Sequence, residues 1–168
     1  SLDVSNFDTS NVDNMHAMFH ECKLLTSLDV SNWDTSKVTS LKGMFYNCNN
    51  LTSLDVSNWD ISNATGLENV FQSCAKLTDI NISNWNVSSV KTIHAILHNC
   101  FSLTNIDISR WKFNNSIYAS VSISGLHRVK TIYFPKKHVD IIDIVYTENN
   151  QLTHGFLADC TELTTIDF

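Results

Sequence analysis

The sequence predicts an α/β solenoid: a right-handed coil of 26-residue units, with parallel strands on one face and short helices on the other. Three observations predict it. Apolar landmarks recur at one interval along most of the chain. Each unit carries two hydrophobic periods, first that of a strand and then that of a helix. Neither half of a unit could bury its apolar side without a neighbour, and stacking like units removes that problem.

The interval is read directly. Leu2, Leu28, Leu54, Ile80, Ile106 and Ile132 stand 26 residues apart, and so do Phe7, Trp33, Trp59, Trp85 and Trp111. Cys22, Cys48, Cys74 and Cys100 keep the same step, as do Phe19, Phe45, Phe71 and Leu97. Leu126, Val129 and Ile132 then stand where Cys100, Leu103 and Ile106 stood. The last unit, Cys160, Leu163 and Ile166, comes after a step of 34, which implies an eight-residue insertion between Ile132 and Cys160. The 168 residues are therefore read as one repeat domain, with regular units over 1–111 and an irregular, longer unit over 112–168.

Within a unit, Leu28-Asp29-Val30-Ser31 alternates apolar with polar, the pattern of a half-buried strand. Asp34-Thr35-Ser36 then offers a helix cap. Val38, Leu41, Phe45 and Cys48 follow at steps of three, four and three, one face of a helix. The spacing Leu25-x-x-Leu28-x-Val30 is that of a leucine-rich-repeat core. Seven such strands, about 4.8 Å apart, would make a stack roughly 30 Å long.

Composition excludes several functions. Hydrophobic residues make up 43% of the chain, charged residues 17%, and the formal net charge is −6. An acidic chain of this kind lacks the basic footprint that nucleic acid demands. No apolar run reaches membrane-spanning length, and no signal peptide or lipidation motif is present. The opening Ser1-Leu2-Asp3 falls inside a unit, as expected of an excised or processed piece. Gly (4) and Pro (1) are scarce, so Ser, Thr and Asn must supply the turns.

The units SLDVSNFDTSNVDNMHAMFHEC and LTSLDVSNWDTSKVTSLKGMFYNC resemble the repeats of BspA-type leucine-rich-repeat surface proteins of bacteria. The strand, the S-N-[WF]-D-x-S turn, the M-F ending and the following Cys carry the likeness over residues 1 to about 112. Ile132-Tyr133-Phe134-Pro135 is similar to the I-x-[LF]-P strand of the wider family, whereas 136–160 depart from it. The resemblance implies an extracellular or cell-surface location and a role in adhesion to a protein or glycan of a host or neighbouring cell. It brings no catalytic residues and no cofactor.

Candidate sites are few. The four repeated cysteines share one buried position, and their parallel side chains favour free thiols over disulfides, while the absence of C-x-x-C gives no support to a zinc ribbon. His16 with His20, and His94 with His98, have the four-residue spacing of metal pairs. Lys42, Tyr46, Glu68 and Gln72 occupy the same positions elsewhere, which favours a solvated surface. Asn50, Asn63, Asn81, Asn86 and Asn114 lie in N-x-[ST] contexts that abundant Asn, Ser and Thr produce unaided. The tryptophans could stack sugars but are better placed to fill the corner of each coil.

The outward strand positions are the most informative. Asp3, Asp29, Asp55 and Asp107, with Asn81 between, form an acidic column in which like charges should raise one another's pKa, and whose carboxylates could take Ca²⁺. A solvated polar face is the plainer reading. Binding is expected at Asp29, Asp55, Asn81 and Asp107, continuing through Tyr133, Lys136, Lys137 and His138, where aromatic and basic residues join the stack. The apolar run Val139 to Tyr146 sits in the long unit. The expected function is a non-catalytic interaction module. The alternatives are a structural spacer and, less favoured, a polysaccharide-acting β-solenoid enzyme, whose catalytic pair should not recur in every unit. Open strand edges also make end-to-end self-association an expectation.

Overall fold

A computed structural model describes residues 2–113, 123–135 and 160–168. Three parallel strands are formed, β1 (Asn105–Asp107), β2 (Thr131–Tyr133) and β3 (Thr165–Asp167), in the order β1-β2-β3. Ile106 pairs with Ile132, and Ile132 with Ile166, so the register steps by 26 and then by 34. Residues 136–159, which hold the long unit's insertion and the run Val139 to Tyr146, lie outside the described residues.

The expected α/β solenoid of strands and helices is not what the chain forms. Among the described residues there is no helix, and the upstream units carry no named strand. Ser27 bridges Ser53, and a second series of parallel bridges links Asn14, Ser40, Gly66 and Thr92. Between the strand-like halves of the second, third and fourth units the coil-to-coil links are sparse, the N–H groups of Thr52 and Thr78 donating to the carbonyls of Thr26 and Thr52.

The segments expected to be helical are turns stitched to the next coil. The N–H groups of Leu67, Asn69, Phe71 and Ser73 donate to the carbonyls of Thr92, His94, Ile96 and His98 at 2.7–3.0 Å. Gln72 and Cys74 donate to Asn69 and Phe71, closing four-residue turns. The preceding coil repeats this: Leu41, Gly43, Phe45 and Asn47 donate to Gly66, Glu68, Val70 and Gln72. An α-helix would spend every N–H on its own carbonyl four residues back and leave the coils unlinked. Here alternate groups serve the turn and the neighbour.

This geometry needs left-handed residues. They fall in two columns: Ala17, Gly43, Asn69 and Ala95, then Glu21, Asn47, Ser73, Asn99 and Gly125, all with φ between 53° and 74°. That conformation costs an ordinary L residue about 1–2 kcal/mol, less for Asn and nothing for Gly. The apolar spacing of three, four and three is still honoured, because the turns keep Leu41, Phe45 and Cys48 pointing inward.

The core is a set of stacked columns. Leu28, Leu54, Ile80, Ile106 and Ile132 are buried, and so are Phe19, Phe45 and Phe71. Phe19, Phe45 and Phe71 lie nearly parallel, with centroids 5.5 and 5.8 Å apart. Trp59 stacks on Trp85 at 6.4 Å, and Trp59, Trp85 and Trp111 each donate Nε1–H to the carbonyl of Val30, Val56 and Ile82 in the coil before. The tryptophans are therefore corner fillers and not a sugar platform.

Candidate functional site

The outward strand column is built from one small motif used repeatedly. Asp29 Oδ1 accepts the Ser31 N–H at 3.1 Å and the Ser31 hydroxyl at 2.7 Å. Asp55 does the same with Ser57, and Asp107 with Ser109. Asp3 accepts the Ser5 N–H, and Asn81 holds Ser83 through the same atom more loosely, at 3.4 Å. The residue types follow from the geometry: a short side-chain acceptor followed two residues later by a small hydroxyl closes an Asx turn at the end of each strand-like segment.

This motif reverses the expected electrostatics. The Ser31 hydroxyl and N–H hold the Asp29 carboxyl below its ordinary value of 3.8, and the Asp55 charge pushes the other way as the smallest influence. The Ser57 bonds lower Asp55, and the Ser5 N–H lowers Asp3. Local hydrogen bonds outweigh like-charge repulsion because the groups are fully hydrated, where neighbouring charges are well screened. A parallel column at the next corner, Asp8, Asp34 and Asp60, grips Ser10, Ser36 and Ser62 in the same way. The Asp34 cap thus closes a turn, not a helix.

Asp29, Ser53, Asp55, Asp79 and Asn81 line a shallow open groove on this face. Each of Asp29 and Asp55 is already committed to its serine. Among the described residues, no three His, Cys, Asp or Glu side chains are placed to hold a metal ion together. Tyr133 continues the column beyond Asp107 on β2 and is 41% exposed. Lys136, Lys137, His138 and Asn114 lie outside the described residues.

The other candidates fall into structural roles. The Sγ–H groups of Cys48, Cys74 and Cys100 donate to the carbonyls of Phe19, Phe45 and Phe71 at 3.0–3.2 Å. Burial pushes the thiols of Cys48 and Cys100 up to about 12 and that of Cys74 well above its ordinary range. Such thiols are poor nucleophiles and poor ligands at neutral pH. His20 stacks on Tyr46 at 4.7 Å, and His98 shares a 2.7 Å hydrogen bond with Ser124. Asn50 and Asn63 use their amides to bond the carbonyls of Lys23 and Ser36.

Two sets of residues went unread in the sequence. The serine partners were visible as a constant two-residue offset, D-x-S or N-x-S. The cations Arg110, Lys112 and Lys130 were visible as substitutions in columns that are neutral or acidic in the preceding coils, Arg128 follows Lys76 in its column, and all four are exposed.

Coils stacked in register behind a hydrogen-bonded polar face define a repeat protein. The chain belongs to the family described as "Mycoplasma protein of unknown function, DUF285", whose model matches residues 1–54 and 25–131. No curated protein and no solved structure matches the chain.

Proposed function

We propose that the chain is a non-catalytic interaction module of a bacterial cell surface, akin to the BspA-type surface proteins, and that it presents its exposed strand face to a protein or glycan of a host or neighbouring cell. The observation that carries this reading is the repetition of the face itself. Asp3, Asp29, Asp55 and Asp107 are each bound to their own serine, Asn81 keeps the same bond in the fourth coil, and among the described residues no three acidic, His or Cys side chains converge on a common point. A reaction needs one singular constellation, whereas a binding surface can be extended and repetitive. The likeness of the D-V-S-N-[WF]-D-x-S units to surface repeats adds the cell-surface location.

The test is binding of the purified chain to immobilised matrix proteins and glycans, with and without calcium. Saturable binding that calcium removal leaves intact is expected. A chain that stays folded by circular dichroism and binds nothing would overturn the proposal in favour of a structural spacer.

A further inference from the structure

Charge is unevenly distributed along the stack. Residues 2–80 hold ten carboxylates and four cations (Lys23, Lys37, Lys42 and Lys76). Residues 81–135 hold five cations (Lys91, Arg110, Lys112, Arg128 and Lys130) and one carboxylate, Asp107. A chain of net charge −6 thus carries a locally basic section.

The fold gathers four of those cations around one patch of sheet. Arg128 and Lys130 lie immediately before β2, and Arg110 and Lys112 follow β1 across the next corner. Between the two pairs lies the outward face of β1 and β2: Asn105 and Asp107, then Thr131 and the half-exposed ring of Tyr133. Three residues of strand make that face about 10 Å wide. Asp107, the carboxylate on β1, accepts the Ser109 N–H at 2.9 Å and its hydroxyl at 2.7 Å, and Asp167 on β3 lies in register with Tyr133 at the edge of the band. Arg110 donates to Asn84 Oδ1 in the coil before β1 at 2.8 Å, which uses one of its five guanidinium N–H donors.

We propose that this band across β1 and β2 binds an acidic glycan. Paired cations on either side of the face match sulfate or carboxylate groups on successive sugars, and the Tyr133 ring offers an apolar surface to a sugar's C–H face. Short hydroxyl and amide groups between them supply sugar hydrogen bonds. An acidic protein surface would meet the cations equally well but would leave the aromatic ring without a use. The proposal rests on the interaction-module reading and names its ligand class.

Heparin is the probe, with uncharged dextran as control, and titration calorimetry on the whole chain gives the affinity. Saturable heparin binding that weakens as salt rises, with no dextran binding, is expected. The columns themselves supply tolerated substitutions. Arg110→Asn copies Asn84, Lys112→Asn copies Asn86, and Lys130→Thr copies Thr104, so the fold has already accepted each one. The triple variant should lose tenfold or more in heparin affinity at unchanged thermal midpoint. Tyr133→Asp, which copies Asp107, should weaken binding further. Lys37→Asn, which copies Asn11 and Asn63 on an acidic coil, should leave binding intact. The proposal is overturned if the native chain fails to bind heparin, or if the triple variant binds as well as the native chain. It is equally overturned if Lys37→Asn does the same damage as the triple variant. A chain that ignores heparin yet binds a matrix protein would sink this inference alone, whereas one that binds nothing would sink the broader reading with it.

Discussion

Gly43 shows what a single residue contributes. It occupies the left-handed column shared with Ala17, Asn69 and Ala95, at φ +59°. A methyl group added there would meet nothing closer than 3.8 Å, so the cost of Gly43→Ala is conformational, about 1 kcal/mol, and should appear as a lower urea midpoint. Ala17→Gly should move the midpoint the other way by up to about the same amount. The aspartates make a second expectation at this scale. Asp55 is held below its ordinary value by Ser57, so the native state favours its ionised form. Its contribution to stability is complete above the ordinary carboxylate value and disappears as the pH falls through the lowered native one. Thermal midpoints should fall on acidification below about pH 4, and Asp55→Asn should reduce that fall, because Asn81 shows that an amide can keep the turn.

At the scale of the structural element, the tryptophan column invites a paired comparison. Trp85 Nε1–H donates to Val56, whereas Trp33 Nε1 finds no acceptor among the described residues. Trp85→Phe should cost about 1–2 kcal/mol for the lost bond and the missing volume, and Trp33→Phe clearly less, by chemical denaturation. An equal cost would mean that the bond to the preceding coil adds nothing. The turn segments show why local pattern was a partial guide. Val38, Leu41, Phe45 and Cys48 face inward, as their spacing required, so burial was legible. Backbone conformation was not, because three, four and three is also the spacing of overlapping turns. A contrary signal was nonetheless present: Gly43, Asn47, Asn69, Asn99 and Gly125 are residues tolerant of positive φ, recurring inside segments read as helices. The acidic column was legible for the same reason as the core, since alternation fixes which residues face out. Its chemistry was not, because the serine bonds that lower Asp29 and Asp55 depend on the turn that follows them.

For the whole molecule, the unit of stability is the coil and its two neighbours. Donors and acceptors meet across offsets near 26: Thr65 N–H to Thr39, Thr52 N–H to Thr26, Phe45 N–H to Val70. Removing residues 51–76, one full period, should leave a folded, shorter chain, since every column closes on the next identical one. Removing half that length should abolish the cooperative unfolding transition, because it would set turn against strand. Circular dichroism with urea denaturation distinguishes the two. The charge segregation also belongs to this scale. Each cation of the basic section is unremarkable in its own coil, and the band exists only because 26-residue steps bring Arg110 and Lys112 alongside the face that Lys130 and Tyr133 continue.

By itself the sequence determined the period, the membership of each column, and which columns face the core, because burial of like residues in stacked units depends only on their spacing. Tertiary structure alone decided how the backbone satisfies its hydrogen bonds. A segment such as Leu67–Cys74 could bond within itself as a helix or bond alternately to the next coil, and its own residues are compatible with both. The neighbouring carbonyls of Thr92, His94, Ile96 and His98 tip the balance, since they lie within reach only once the coils are stacked. The same stacking makes a surface of residues scattered along the chain, and on that surface the proposed function rests.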